Sequence, residues 1–229
     1  MDIQVVADRA EVSERVAALV AGWAAEAVAA RGRAVLAFSG GSTPGPTLER
    51  LARADLPWER IHIAQVDERV APDGDPDRNW TMFGERLFAH APIPEANRHP
   101  MPVTAADLDA AATAYAVELA TLAGDPPLLD VVHLGLGDDG HTASLAPGDP
   151  VCDVRDVDVA VTGTYRGRRR MTLTVPAINR ATWIVWEVVG GGKAEALREA
   201  LRGDRVPGSL IRREPAVTVV CDTAAAALL

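Results

Sequence analysis

Residues 134–145 read Leu134-Gly135-Leu136-Gly137-Asp138-Asp139-Gly140-His141-Thr142-Ala143-Ser144-Leu145. The short apolar run before them, Leu128 to Leu134, has the character of a buried strand. A strand that ends at once in a turn rich in glycine and aspartate is where open α/β sheets place their ligands. Glycine permits positive φ and close approach to the backbone. Imidazole is the one side chain whose unperturbed pKa suits proton transfer near neutrality, which singles out His141.

The flanking sequence supplies the rest of such a sheet. Ile3 to Ala7 predicts a first strand. Val12, Val16, Leu19, Trp23 and Ala27 recur at helical spacing, and that helix is expected to stop near Gly32. Ala34 to Ser39 reads as a second strand, followed directly by Ser39-Gly40-Gly41-Ser42-Thr43-Pro44. A turn of small residues with exposed N–H groups, running into a helix at Thr47 to Ala52, suits an anion. Ile61 to Val66 predicts a third strand that ends in the charged triplet Asp67-Glu68-Arg69, either a solvated edge or part of a site. The loop from there to Asn79 is rich in the turn formers Pro72, Asp73, Gly74, Asp75, Pro76 and Asp77, and reads as a lid or an exposed loop. Trp80 to Ala89 is expected to be helical, Pro92 to Pro102 a connector, and Ala105 to Leu122 an amphipathic helix stopped at Gly124.

Downstream, Val157 to Val161 and Met171 to Val175 predict two strands of a hairpin. Between them lies Tyr165-Arg166-Gly167-Arg168-Arg169-Arg170, and an arginine cluster of this kind is usually a solvated surface. Thr182 to Val189 reads as a buried strand, Gly190-Gly191-Gly192-Lys193 opens a helix over about Ala194 to Leu201, and Ala216 to Cys221 is a last strand before an alanine-rich tail. Strands alternating with helices predict an α/β fold of Rossmann-like type, a mainly parallel sheet with helices on both faces. With no internal repeat and no clear linker, one domain over residues 1–229 is expected.

Composition narrows the function. A hydrophobic share of 48% and a charged share of 24% belong to a globular protein, and the formal charge of −9 argues against nucleic acid as the main partner. No apolar run is long enough for a membrane span, and Asp2, Asp8, Arg9 and Glu11 do not make a signal peptide. Cys152 and Cys221 lack metal-ligand spacing and read as reduced thiols, so a cytoplasmic address is expected.

Several motif matches fail on chemistry. Gly135-x-Gly137-x-x-Gly140 has the spacing of a dinucleotide fingerprint, yet Asp138 and Asp139 would repel a pyrophosphate. Gly190-Gly191-Gly192-Lys193 lacks the glycine spacing of a P-loop, and Ala194 follows its lysine. There is no serine-hydrolase elbow and no zinc-protease helix, and His62, His90, His99 and His133 are scattered. No metal and no cofactor is therefore expected. Lys193 is the one lysine in a chain with 23 basic residues, placed at a helix start where dipole and ammonium both attract an anion.

Together these stretches resemble the 6-phosphogluconolactonase family, over almost the whole chain. The resemblance rests on Ser39 to Pro44, Asp67-Glu68-Arg69, Gly135 to Leu145, Arg170-Met171-Thr172-Leu173-Thr174 with Ile178-Asn179, and Gly192-Lys193-Ala194. It departs where Arg78 stands for a common serine before Asn79, where Ala146 stands for a common phenylalanine, and where no proline closely precedes Arg170. A related pattern, that of glucosamine-6-phosphate deaminases, carries an aromatic where Arg69 stands and an acid where Ser144-Leu145-Ala146-Pro147 has none. A sugar-phosphate sensor of this fold would normally carry a DNA-binding helix-turn-helix, for which there is no room before Ile3.

The resemblance implies hydrolysis of a phosphorylated sugar lactone, 6-phospho-D-glucono-1,5-lactone. It makes His141 the base and then the acid, with Asp139 orienting the imidazole. Backbone N–H groups at Gly40 and Gly41 become oxyanion donors. Arg69, Arg170 and Lys193, with Ser42 and Thr43, become the phosphate site, and Asp67 and Asn79 contact sugar hydroxyls or brace the loop. A small-molecule substrate is the only partner implied. Oligomeric state is open, a monomer being the working expectation.

Overall fold

The computed structural model describes residues 1–211 and 217–229. Six strands form a parallel sheet: β1 (Asp2–Val6), β2 (Ala34–Phe38), β3 (Ile61–Gln65), β5 (Val131–Gly135), β8 (Trp183–Val188) and β9 (Val217–Asp222). Their order is β1-β9-β8-β5-β2-β3, with every pair parallel. The remaining strands, β4 (Asp67–Arg69), β6 (Val159–Val161) and β7 (Arg170–Leu173), form a small antiparallel sheet in the order β4-β7-β6.

Alternation along the strands sends side chains to two cores. Leu36, Phe38, Ile61, Ile63 and Val131 pack with Val12, Val16 and Val20 of α1 (Arg9–Arg31) and Leu48 and Leu51 of α2 (Gly45–Leu51). Phe83 of α3 (Asn79–Phe83) joins the same core. On the other face, Val35, Ala37, Val132, Leu134 and Trp186 pack with Tyr115 and Leu119 of α4 (Leu108–Ala123). Ile178 of α5 (Val175–Arg180) and Leu197 and Leu201 of α6 (Ala194–Arg202) complete it. Helices thus cover both faces, as the alternating pattern predicts. Asp8 caps α1 through Ala10 and Glu11 N–H groups, and Gly32 at φ 77° ends it.

Local readings shift in places. The helix expected from Ala105 begins only at Leu108, because Asp107 caps it. The helix expected over Trp80 to Ala89 is α3 followed by a π-helical turn at Gly84–Phe88. The predicted strand end at Val175 is instead the start of α5, with Pro176 in the first turn, where its missing N–H costs nothing. Ala216, the expected first residue of the last strand, lies outside the described residues.

Chain order positions the site. From β2 the chain moves outward to β3, whereas from β5 it goes the other way to β8. The C-terminal ends of β2 and β5 therefore flank a topological switch point, where connecting loops diverge and leave a crevice.

Candidate active site

Two loops border that crevice. The first, Ser39 to Pro44, leaves β2, and Ser39 donates through both its N–H (3.2 Å) and its Oγ (3.0 Å) to the His133 carbonyl on β5. The second, Gly135 to Thr142, closes on itself: Gly137 N–H donates to the His141 carbonyl (2.7 Å), and Thr142 Oγ1 donates to the Gly135 carbonyl (2.8 Å). Gly140 turns at φ 79° with Val206 packed where a side chain would stand, so only glycine fits.

This turn brings His141 back onto Asp139. Their Nδ1 and Oδ1 atoms are 2.6 Å apart, and Asp139 Oδ1 also accepts from the His141 N–H at 3.2 Å. With Nδ1 engaged by a carboxylate, Nε2 is the nitrogen left for a ligand, and His141 lines the crevice. Partial burial pushes the Asp139 carboxyl up, but hydrogen bonds from Tyr165 and His141 outweigh this and hold it well below the usual carboxylate range.

The crevice has a volume of about 380 Å³ and gathers the residues singled out from the sequence. Gly40, Gly41, Ser42 and Thr43 line one wall, His141 another, and Asp67, Arg69, Asn79, Arg170 and Lys193 the remainder. Asp139 stands behind His141 rather than on the wall. The three expected cations differ in how far they are committed. Arg69 donates to the Asn79 side chain and to the Asp77 carbonyl (2.9 Å). Arg170 is buried beside Asp67 (4.0 Å) and Ser144 (3.5 Å). Lys193 makes no ion pair among the described residues, and its charge reaches Asp138 across the turn. Of the three it is the most available to a ligand.

Asp67 and Asn79 are chiefly braces. Asp67 Oδ2 accepts from Ser144 Oγ at 2.5 Å, and Asn79 Nδ2 donates to the Asp67 carbonyl at 2.8 Å. Glu68 is fully buried, which resolves the Asp67-Glu68-Arg69 triplet as interior rather than a solvated edge. Its carboxylate accepts from the Asn79 (2.8 Å) and Trp80 (2.9 Å) N–H groups at the start of α3 and pairs with Arg78 (3.0 Å). Arg78, the unusual residue before Asn79, also holds Asp73 (2.9 Å) and the Ala71 carbonyl (3.1 Å). The loop 70–78 is thereby pinned from within.

The arginine cluster is a solvated surface only in part. Arg166 and Arg169 are exposed as expected, whereas Arg170 is buried and the half-exposed Arg168 pairs with Asp75 (3.2 Å) and Asp77 (2.8 Å). Arg166 pairs with Asp138 at 2.8 Å, and Tyr165 donates its hydroxyl to Asp139 Oδ2 at 2.5 Å. Sequence reasoning also missed Arg9 and Glu187 on the crevice wall. Glu187 is buried, accepting from Thr47 Oγ1 (2.7 Å) and lying 2.9 Å from His133 Nε2. It ties α2, and hence the Ser39 to Pro44 loop, to the sheet.

Such a constellation can activate a water at His141, hold a phosphate by cations and receive an oxyanion at backbone N–H groups. Comparison with known proteins points to sugar-phosphate enzymes. The family described as glucosamine-6-phosphate isomerases/6-phosphogluconolactonase matches residues 7–220. A 6-phosphogluconolactonase of Synechocystis sp. is 43% identical over 209 residues, covering 90% of this chain and 87% of the relative. The 6-phosphogluconolactonase structure from Trypanosoma brucei superposes with a TM-score of 0.88 at 27% identity, over 100% of this chain and 98% of that one. A monomeric glucosamine-6-phosphate deaminase superposes equally well, TM-score 0.88, at 24% identity with full coverage of both chains, so that likeness speaks for the fold alone.

Proposed function

This chain belongs to the family of glucosamine-6-phosphate isomerases and 6-phosphogluconolactonases, and from that premise we propose that its crevice hydrolyses 6-phospho-D-glucono-1,5-lactone to 6-phospho-D-gluconate, a step of the oxidative pentose phosphate pathway. One observation carries the chemistry: His141 has Nδ1 engaged by Asp139 and Nε2 left for a ligand, in a crevice that also holds the uncommitted Lys193. The named relatives select the lactone among phosphorylated sugars.

In this reading Lys193 takes the phosphate as a point charge, with Arg69, Arg170, Ser42 and Thr43 around it. His141 Nε2 removes a proton from water as the oxygen attacks the lactone carbonyl carbon. The resulting imidazolium is steadied by the Asp139 carboxylate. The oxyanion is received by N–H groups at Gly40 and Gly41. Collapse breaks the bond to the ring oxygen, and the imidazolium returns its proton to that oxygen, so His141 ends neutral. Asp67 and Asn79 hold Arg69 and Ser144 in place. A monomeric state and a cytoplasmic address are part of the same proposal, the address supported by the two free cysteines.

A coupled assay tests the reading. Fresh lactone is supplied with phosphogluconate dehydrogenase, and glucosamine 6-phosphate is tested in parallel for ammonia release. Lactone hydrolysis above the spontaneous rate, without ammonia, is expected. Ammonia without lactone hydrolysis would assign a deaminase, and tight sugar-phosphate binding with neither activity would assign a sensor.

A further inference from the structure

The hairpin between β6 and β7 reaches over the turn that carries His141. Tyr165 and Arg168 form its closing bridge, and Arg166 (φ 50°) and Gly167 (φ 82°) are the two central residues of a tight turn. Three residues fasten the hairpin: Arg166 to Asp138, Tyr165 to Asp139, and Arg168 to Asp75 and Asp77. The Tyr165 ring lies against two guanidinium groups, those of Arg166 (5.2 Å) and Arg170 (5.1 Å), which fixes the direction of its hydroxyl.

We propose that Tyr165 is a positioning residue of the catalytic apparatus, the third member of a Tyr165–Asp139–His141 chain whose hydroxyl locks the carboxylate and so fixes which imidazole nitrogen carries the proton. The proposal rests on the reading of His141 as the general base. The geometry is directional. Asp139 has two oxygens: Oδ1 faces His141 Nδ1 at 2.6 Å, and Oδ2 receives the Tyr165 hydroxyl at 2.5 Å. A carboxylate held at one oxygen only can swing about its χ2 torsion, which is broad for aspartate. Held at both oxygens, it presents a fixed acceptor to Nδ1–H, and Nε2 is kept free as the base. The phenolic oxygen itself lies 3.2 Å from Nδ1, so the same N–H meets oxygen on two sides. Burial, then the neighbouring carboxylate, pushes the Tyr165 hydroxyl up to about 12, so it remains a donor throughout the working range of the enzyme.

Tyr165→Phe tests this, since phenylalanine keeps the ring against the guanidinium groups and removes only the hydroxyl. The expected result is a roughly tenfold loss of kcat, in the range of losses when an orienting partner is removed, with KM little changed. In an Asp139→Ala background the same substitution is expected to cost nothing further, because a hydroxyl that acts through the carboxylate has nothing left to act on. NMR of the His141 ring nitrogens is expected to show the Nδ1–H tautomer in wild type and a mixture in Tyr165→Phe. An unchanged kcat, an equal loss in both backgrounds, a rise in KM at constant kcat, or an unaltered tautomer would each overturn the proposal. The NMR readout needs no turnover. A tautomer lost in the variant of a chain that fails to open the lactone would refute the substrate and leave the role of Tyr165 standing.

Discussion

The imidazole of His141 occupies the space where a side chain on Gly137 would begin: a β-carbon built there overlaps both Nδ1 and Cε1 of the ring. The turn is closed by the Gly137 N–H to His141 carbonyl bond, so neither partner can back away without opening it. The glycine spacing that mimics a dinucleotide fingerprint has a different cause here. Gly137 is small so that the histidine can fold back onto Asp139.

Gly137→Ala is therefore expected to lose at least roughly 100-fold in kcat/KM, the scale of a misplacement of about 1 Å at a reacting group. Near-wild-type activity in steady-state kinetics would show that the ring has another productive position.

Lys193→Ala is expected to weaken the phosphorylated lactone by roughly 1.5–3 kcal/mol, the worth of a hydrogen bond to a charged group. Turnover of unphosphorylated gluconolactone should change little. The comparison is kcat/KM for both substrates, and an equal loss on both would move Lys193 from the phosphate to the structure or the chemistry.

Asp139→Asn is expected to reduce kcat with KM little changed, because the carboxylate that orients the imidazole is gone. A second consequence concerns stability. The Asp139 carboxyl is held below its ordinary value, so its contribution is fully present above the usual carboxylate range and is lost as pH falls through the depressed native value. Melting temperatures of wild type and Asp139→Asn should differ at neutral pH and converge in acid. A wild-type kcat, or melting temperatures that stay equally far apart in acid, would contradict the assignment.

Glu187→Ala removes a buried carboxylate and leaves His133 Nε2 and Thr47 Oγ1 without their partner. The expected cost is roughly 1–3 kcal/mol of stability per group left unsatisfied, read from urea unfolding. No change in the unfolding midpoint would mean that the site relaxes around the loss.

What the sequence disclosed follows from range. The strands, the two glycine-rich loops and His141 with Asp139 are written in contiguous residues, and their periodicities and turn signals survive into the structure. The six residues of α5 are too few to display a helical period, and the alternation from Met171 ran through them. The contacts of Tyr165, Arg166 and Arg168 were not legible for a different reason. Their partners Asp138, Asp139, Asp75 and Asp77 are distant in the chain, and an arginine-rich hairpin with no partner in view reads as surface. Arg9 and Glu187 reach the crevice only because the parallel sheet gathers the end of β8 and the start of α1 on one edge. The departure at Arg78 became intelligible only with Glu68 buried beneath it.

The central claim is that His141 is the proton carrier for lactone opening, and kcat/KM of His141→Asn measures it most directly. The rate must be taken above spontaneous hydrolysis, with a thermal melt as the folding control. The predicted result is a normally melting protein that has lost roughly 10²–10⁴ in rate, the contribution of one general acid–base group. Wild-type kcat/KM in a normally melting variant would contradict the account and turn attention to the carboxylates of Asp67 and Asp139.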